Sequence, residues 1–394
     1  MKYLIGLISI TVILLLAFLV SNDKKSIRIR PILTMIILQF ILAIILMNTS
    51  IGNFLIGGFA GAFEKLLTYA ADGINFVFGG FLLEGQFSFF LMVLMPIVFI
   101  SALIGILQHF NILGFIIKYI GLGLSKINGM GRLESYNAVA SAILGQSEVF
   151  ISLKNQLGML NEKRLYTLCT SAMSTISMSI VGAYMNLLEP RYVVIAIVLN
   201  LFGGFIIASI INPYEISKQE DVLTVVKQKQ GFFEMLGEYI LDGFKVAIIV
   251  GAMLVGFIAL MSMFDAIFET IFNIGFSKFL GYLFSPLAYL VGIPVNESID
   301  AGSIMATKLI TNEFVAMEML RSSTTEYSPR TLAIISVFLV SFANFSSIGI
   351  ISGAVKALNE EKGNIVSRFG LKLLYGASLV SFLSATIVGL VFVS

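Results

Sequence analysis

Residues 134–157, ESYNAVASAILGQSEVFISLKNQL, and residues 297–320, ESIDAGSIMATKLITNEFVAMEML, decide how this chain is read. Each is about the length of one membrane crossing, roughly 20 residues, yet carries acids and amides at its middle. Both begin Glu-Ser, pass through small residues and reach a polar knot: Gly145-Gln146-Ser147-Glu148 in one, Thr311-Asn312-Glu313 in the other. The apolar stretches between the polar points, about 14 and about 9 residues, are too short to cross a bilayer, whereas a hairpin entering and leaving on one side needs no more. Both segments are therefore expected to be re-entrant hairpins.

Their surroundings justify a membrane frame. The 394 residues are 58% hydrophobic and 12% charged, with a mean hydropathy of +0.97. Soluble globular chains carry about 25% charged residues, so the solvent of this surface is lipid. The net charge of +2 offers no basic stripe for a nucleic-acid partner. A single Cys169 excludes an internal disulfide framework. The lone His109 argues against histidine catalysis, and both residues read as ordinary packing. With no Trp, an interfacial belt falls to 13 Tyr, Phe and Lys/Arg.

Working outward, residues 3–20 form an uncharged first span with no small-residue cleavage site after it, so not a removable signal. Further spans are drawn at 31–48, 88–108, 166–188, 191–211, 244–264, 330–353 and 369–393. The expected fold class is an all-α polytopic membrane protein: eight transmembrane helices, two opposed re-entrant hairpins, and interfacial helices or partial spans around 51–83 and 266–293. Alternate loops are basic: Lys24, Lys25, Arg28 and Arg30; Lys118, Lys126 and Arg132; Lys154, Lys163 and Arg164; Lys218, Lys227 and Lys229; Lys356, Lys362 and Arg368. The positive-inside rule makes these cytoplasmic and puts both termini outside a cell inner or plasma membrane. The first hairpin then enters from the cytoplasm and the second from outside, and Pro213 to Gln230 is a cytoplasmic linker.

After each hairpin comes a hydroxyl-rich helix, Thr170 to Gly182 or Ser341 to Gly353, and then an apolar helix. This unit, repeated in opposite senses, is the arrangement of a secondary transporter built from inverted repeats. The expected divisions are 1–127, N-terminal scaffold and interfacial helices; 128–212, first half of a transport domain; 213–295, linker, interfacial helix and scaffold span; and 296–394, second half of the transport domain. Glu148 and Glu313 are the residues to explain, because a carboxylate at a helix centre costs about 3 kcal/mol on insertion scales and is functional by default. Most of Thr170, Ser171, Ser174, Thr175, Ser177, Ser179, Ser346 and Ser347 read as packing or back-bonded hydroxyls. No phosphate loop, HExxH, CxxC or GxSxG is present. The pairs Gly57-Gly58, Gly79-Gly80 and Gly203-Gly204 read as helix breaks or packing notches.

Three motifs in order, Gly145-Gln146-Ser147-Glu148, Asn312-Glu313-Phe314-Val315-Ala316 and Phe342-Ala343-Asn344-Phe345-Ser346-Ser347-Ile348, resemble the concentrative nucleoside transporter family. The similarity covers nearly the whole chain and is strongest from about Leu133 to Val393. The resemblance implies a homotrimer in which a mobile transport domain carries nucleosides past a fixed scaffold, an elevator. It also implies that Gln146, Ser147 and Glu148 address the nucleobase, that Glu313, Asn344 and Ser347 hold the ribose hydroxyls, and that Phe342 walls the base. Purine and pyrimidine both remain open.

The departures bear on the coupling ion. Sodium-coupled members place an Asn five residues before the knot Gln and a Ser in the following helix; here stand Ser141 and Thr175. The other expected ligands are the carbonyls of Leu144 and Ile176. Ser147-Glu148-Val149-Phe150 replaces the Thr-Glu-Ala-Pro of the sodium branch and resembles a proton-coupled bacterial branch. Proton symport, inward, is thus the expected activity, with Glu313 the first candidate carrier, Glu148 the second, and no cofactor. Sodium coupling is the nearest alternative, using Ser141 and Thr175. A channel leaves the opposed hairpins unexplained, and a membrane-embedded enzyme lacks a nucleophile or metal site.

Overall fold

A computed structural model describes residues 2–79, 88–216, 221, 223 and 230–393. Lys218, Lys227, Lys229 and Gly80, to which the sequence reading gave roles, lie outside the described residues.

The described chain is helical throughout. The first third comprises α1 (Lys2–Leu19), α2 (Ile29–Asn48), α3 (Ser50–Phe78), α4 (Pro96–His109) and α5 (Ile112–Ser125). The first polar segment supplies α6 (Arg132–Leu144), α7 (Glu148–Ser152) and α8 (Lys154–Leu157), followed by α9 (Glu162–Ser174), α10 (Met178–Leu187) and α11 (Pro190–Ile211). Then come α12 (Phe232–Phe272) and α13 (Phe276–Leu290), and the second polar segment as α14 (Val295–Ile310) and α15 (Glu313–Arg321). The chain closes with α16 (Pro329–Leu339), α17 (Phe345–Leu358), α18 (Glu360–Arg368) and α19 (Gly370–Val391).

Six helical stretches among the described residues are long and apolar enough to cross a membrane: 29–48, 90–109, 162–187, 190–211, 232–272 and 370–391. The 330–353 span drawn from sequence is instead two helices, α16 and α17, parted at Val340–Asn344. The 166–188 span is likewise broken at Thr175–Ser177 between α9 and α10. The cause is local capping. Ser177 accepts from the Ser179 amide and Asn344 from the Ser347 amide, so each side chain starts a new helix where an apolar residue would have continued the old one. Of the two stretches expected to be interfacial helices or partial spans, 51–78 lies in the single helix α3, and 266–293 takes in the end of α12 and the whole of α13.

Burial sorts the helices into an inner and an outer set. The apolar window of α19 is 94% buried and that of α11 72%, against 17% for α12. Phe233, Leu241, Val255 and Ile271 on α12 are exposed, and a helix apolar on its exposed face belongs against lipid. The inner helices carry Ser and Gly at their contacts, which lets backbones approach. At Gly203 of α11 a Cβ would stand 2.8 Å from Val380 of α19, so this glycine is a packing notch; Gly57 and Gly58 have no neighbour that needs one.

Candidate substrate and ion site

The second knot is built around one carboxylate. Asn312 caps α15, its Oδ1 accepting from the Val315 amide at 3.0 Å, which sets Glu313 in the first turn, where the helix dipole favours negative charge. Glu313 is buried. Its Oε1 accepts from the Tyr184 hydroxyl of α10 at 2.7 Å and its Oε2 from Asn344 Nδ2 at 3.0 Å. Asn344 in turn caps α17, its Oδ1 accepting from the Ser347 amide at 2.9 Å and the Ser346 hydroxyl at 2.7 Å. Three elements, α10, α15 and α17, thus converge on Glu313. Asn344 has both its amide oxygen and its amide nitrogen committed, so the cap fixes the direction of the N–H that reaches the carboxylate.

Tyr184 was missed by the sequence reading. Its signal was a phenol at membrane depth, which needs a partner for its hydroxyl when buried. Its ring also packs edge-on against Phe314, 5.1 Å between centroids.

The first knot is looser. Gly145 ends α6 with φ +111°, in the region open to glycine. The Ser177 hydroxyl donates to the Leu144 carbonyl at 3.2 Å, tying this tip to the start of α10. Gln146 is buried and its Oε1 has no hydrogen-bond partner in the protein; the same is true of Ser347 Oγ. Ser147 is half-buried, and Glu148 is exposed on the wall of a cavity of ≈ 270 Å³. Ser177 and Ser179 also line that cavity, as do Gln108 of α4 and Glu238 and Asp242 of α12. Glu313 is not part of this lining, so the two carboxylates stand in different surroundings.

The two helix breaks meet directly. The Phe342 amide donates to the Thr175 carbonyl at 3.1 Å, and Asn200 Nδ2 of α11 donates to the Val340 carbonyl at 2.7 Å. These bonds satisfy backbone that a straight helix would have satisfied internally. The two hydroxyls that the sequence offered for an ion bond to their own helices, Ser141 Oγ donating to the Asn137 carbonyl at 2.7 Å and Thr175 Oγ1 to the Ser171 carbonyl at 3.0 Å, which commits their protons and not their oxygen lone pairs. His109 packs edge-on against Phe110 and Phe232, and Cys169 is buried, as packing requires.

The shared Glu-Ser starts also acquire a role. Glu134 at the base of α6 takes both Nε and Nη2 of Arg164 in α9, at 2.6 and 3.2 Å, and the Tyr214 hydroxyl at 3.2 Å. Burial, and then the Glu134 carboxylate beside it, push the Tyr214 phenol well above its ordinary range, which keeps it a donor. Glu297 at the base of α14 takes the amide and hydroxyl of Ser328, the cap of α16. In both halves the acid fastens the polar segment to the start of the broken helix that follows.

Family models described as Na+ dependent nucleoside transporter N-terminus, nucleoside recognition, and Na+ dependent nucleoside transporter C-terminus match residues 8–81, 90–191 and 192–389. The chain is 36% identical to the purine nucleoside transport protein NupG of Bacillus subtilis, covering 99% of each. It is 28% identical to the nucleoside permease NupC of Helicobacter pylori, covering 98% of this chain and 97% of that one. It also superposes on CNTnw in an inward-facing substrate-bound state with a TM-score of 0.94, at 29% identity and 99% coverage of both chains. A doubly substituted CNTnw in an outward-facing state gives a TM-score of 0.92 at 28% identity, over 99% of this chain and 98% of that one. The chain therefore belongs to the concentrative nucleoside transporter family: it is a multi-pass membrane protein that transports nucleosides, and not an enzyme.

Proposed function

We propose that the protein is an inward nucleoside symporter driven by protons, working by an elevator motion. The observation that carries this reading is the convergence of Tyr184 and Asn344 on the buried Glu313, together with two buried polar atoms of the motif residues, Gln146 Oε1 and Ser347 Oγ, that find no partner within the protein. A carboxylate accepts well from vicinal hydroxyls, and an amide reads the donor and acceptor edge of a base. Glu313, Asn344 and Ser347 would hold the ribose; Gln146, Ser147 and Glu148 would address the base, with Phe342 as its apolar wall. The 36% identity to a purine nucleoside transport protein sets inosine, guanosine and adenosine ahead of uridine and cytidine in a competition series.

The ion reading rests on donor chemistry. Ser141 stands where sodium-coupled members carry an Asn, so the amide oxygen of that ligand set is missing and a short hydroxyl, bonded to its own helix, stands in its place. That leaves a poor oxygen cage for sodium, while a carboxyl that exchanges one exposure for another can load and release a proton. Glu313 is the first carrier and Glu148 the second. Sodium coupling is kept as the rival because the matching family models are described as Na+ dependent; it would use Ser141, Thr175 and the carbonyls of Leu144 and Ile176.

The architecture proposed with this function is eight crossings, two re-entrant hairpins in opposite senses, both termini outside, and a homotrimer. Residues 128–212 and 296–394 form the moving half-domains, and 1–127 and 213–295 form the scaffold and linker. Purified protein in liposomes, given a pH gradient or a sodium gradient separately, tests the coupling: accumulation is expected with the pH gradient alone. Accumulation driven by sodium at equal pH would sink it, and flux without accumulation would point to a channel. Glu313→Gln is expected to abolish accumulation, and wild-type uptake by that variant would remove Glu313 from the site.

A further inference from the structure

Five residues before Glu313 stands a cation for which neither the substrate nor the ion reading has a use. Lys308, in the last turn of α14, is fully buried. Its Nζ donates to the Phe338 carbonyl at 2.7 Å, to Ser341 Oγ at 2.6 Å and to Ser381 Oγ at 3.2 Å, and it lies 4.5 Å from the centroid of the Phe338 ring. None of the salt bridges among the described residues involves it. A buried lysine with no carboxylate within ion-pair distance is unusual, since a charge in low dielectric is costly without one.

The acceptors explain the placement. Phe338 is the penultimate residue of α16, so its carbonyl is one of the four left without an intrahelical partner, at the negative end of the helix dipole. Ser341 lies in the break itself, and Ser381 comes from α19, whose hydroxyl also bonds that of Ser341 at 2.9 Å. An ammonium has three donors and no acceptor, and all three donors are matched by oxygens, two at a helix C-terminus and its unwound continuation and the third on α19. That is the coordination a small monovalent cation seeks at the end of a broken helix. The first half of the chain has the same parts, a polar segment against the C-terminus of a broken helix. Its residue one turn before the tip, Ser141, carries only a hydroxyl.

We propose that Lys308 is a tethered cation. Its ammonium closes the carbonyl end of α16 against α14 and α19, and it holds the α16–α17 break in the shape that turns Asn344 toward Glu313. This inference rests on the substrate site proposed above. Lys308 is a positioning residue, acting on the site through the break.

Lys308→Ala in proteoliposomes tests it. Uptake is expected to fall at least about tenfold, the worth of one charge-assisted hydrogen bond, and to be restored in part by external methylammonium or ethylammonium. Lys308→Met, which fills the space with an apolar chain, should be equally slow and not restored by either amine. A merely structural lysine would not respond to an amine in this way. Wild-type uptake by Lys308→Met overturns the proposal, as does a folded Lys308→Ala that no small ammonium ion restores. Should neither variant reach the membrane, Ser381→Ala and Ser384→Ala decide. The first removes an acceptor of the amine, the second a buried hydroxyl with no hydrogen-bond partner one turn away. Only Ser381→Ala is expected to slow uptake, and equal rates overturn the proposal. Wild-type protein in the same vesicles separates the two readings, since its failure to move nucleosides would count against the proposed function and not against Lys308.

Discussion

The bond from Tyr184 to Glu313 lends itself to a quantitative test. Tyr184→Phe removes one hydroxyl and leaves the ring on Phe314, 5.1 Å away, so packing of α10 on α15 is retained. What is lost is a 2.7 Å hydrogen bond between two buried groups. A bond to an ionised acceptor contributes about 1.5–3 kcal/mol and one between neutral groups about 0.5–1.5 kcal/mol. At about 1.4 kcal/mol per decade, nucleoside affinity should fall roughly ten- to hundredfold if Glu313 binds substrate as a carboxylate, and roughly two- to tenfold if it binds as an acid. Calorimetric Kd and uptake KM, each taken at acidic and neutral pH, distinguish the two. Tyr166→Phe is the control: its hydroxyl donates to the Lys372 carbonyl at 3.1 Å, away from the site, so it should alter melting temperature without altering KM. A folded Tyr184→Phe protein with unchanged Kd and KM at both pH values would refute the claim that this phenol orients the substrate carboxylate.

Asn344→Asp keeps an oxygen to cap α17 but sets a second carboxylate against Glu313 Oε2, so uptake should be lost while the melting temperature stays near that of the wild type. Glu134→Ala takes the carboxylate away from the buried Arg164 guanidinium and should cost about 3 kcal/mol, read as a fall in melting temperature. The exposed pair of Arg132 with Asp221 should matter by about 1 kcal/mol or less when Asp221 becomes Asn. Gly145→Ala meets a positive φ and would set a Cβ 2.9 Å from Glu148 Oε2. About 1–3 kcal/mol of strain is expected, with slowed uptake as the readout.

The membrane class, the two polar segments and the acids at their tips were legible because lipid makes every charge at depth conspicuous. Glu313 and Asn344, which the family resemblance implied would hold the ribose together, are hydrogen-bonded to each other. The helix breaks were not legible as breaks. Hydropathy averages over a window, and the few residues at 175–177 and 340–344 sit among apolar neighbours that keep the average high. Capping could have been suspected at Asn344 and Ser177, since both residue types prefer helix starts, but their neighbours favour helix. Lys308 was passed over for a similar reason. At the end of a short helical stretch a lysine reads as an anchor whose charge escapes to water, and only the fold shows that its amine turns inward.

The bonds between the breaks bear on how the molecule moves. Thr175 and Phe342 share a backbone hydrogen bond, α11 holds Val340 through Asn200, and α10 carries both the serine on the first tip and the tyrosine on Glu313. Seven residues along α10 separate Ser177 from Tyr184, about 10 Å of helix. Sliding one half past the other would strand several polar groups in a dry interior, at about 2–7 kcal/mol apiece. The two halves are therefore better moved together than apart. The boundary facing α4 and α12 is different: there a cavity is lined by Glu148 together with Gln108, Glu238 and Asp242, and water can satisfy polar groups as they part. A motion that keeps the crossed breaks intact and slips along that boundary strands fewest polar groups, which is the physical ground for the elevator proposed above.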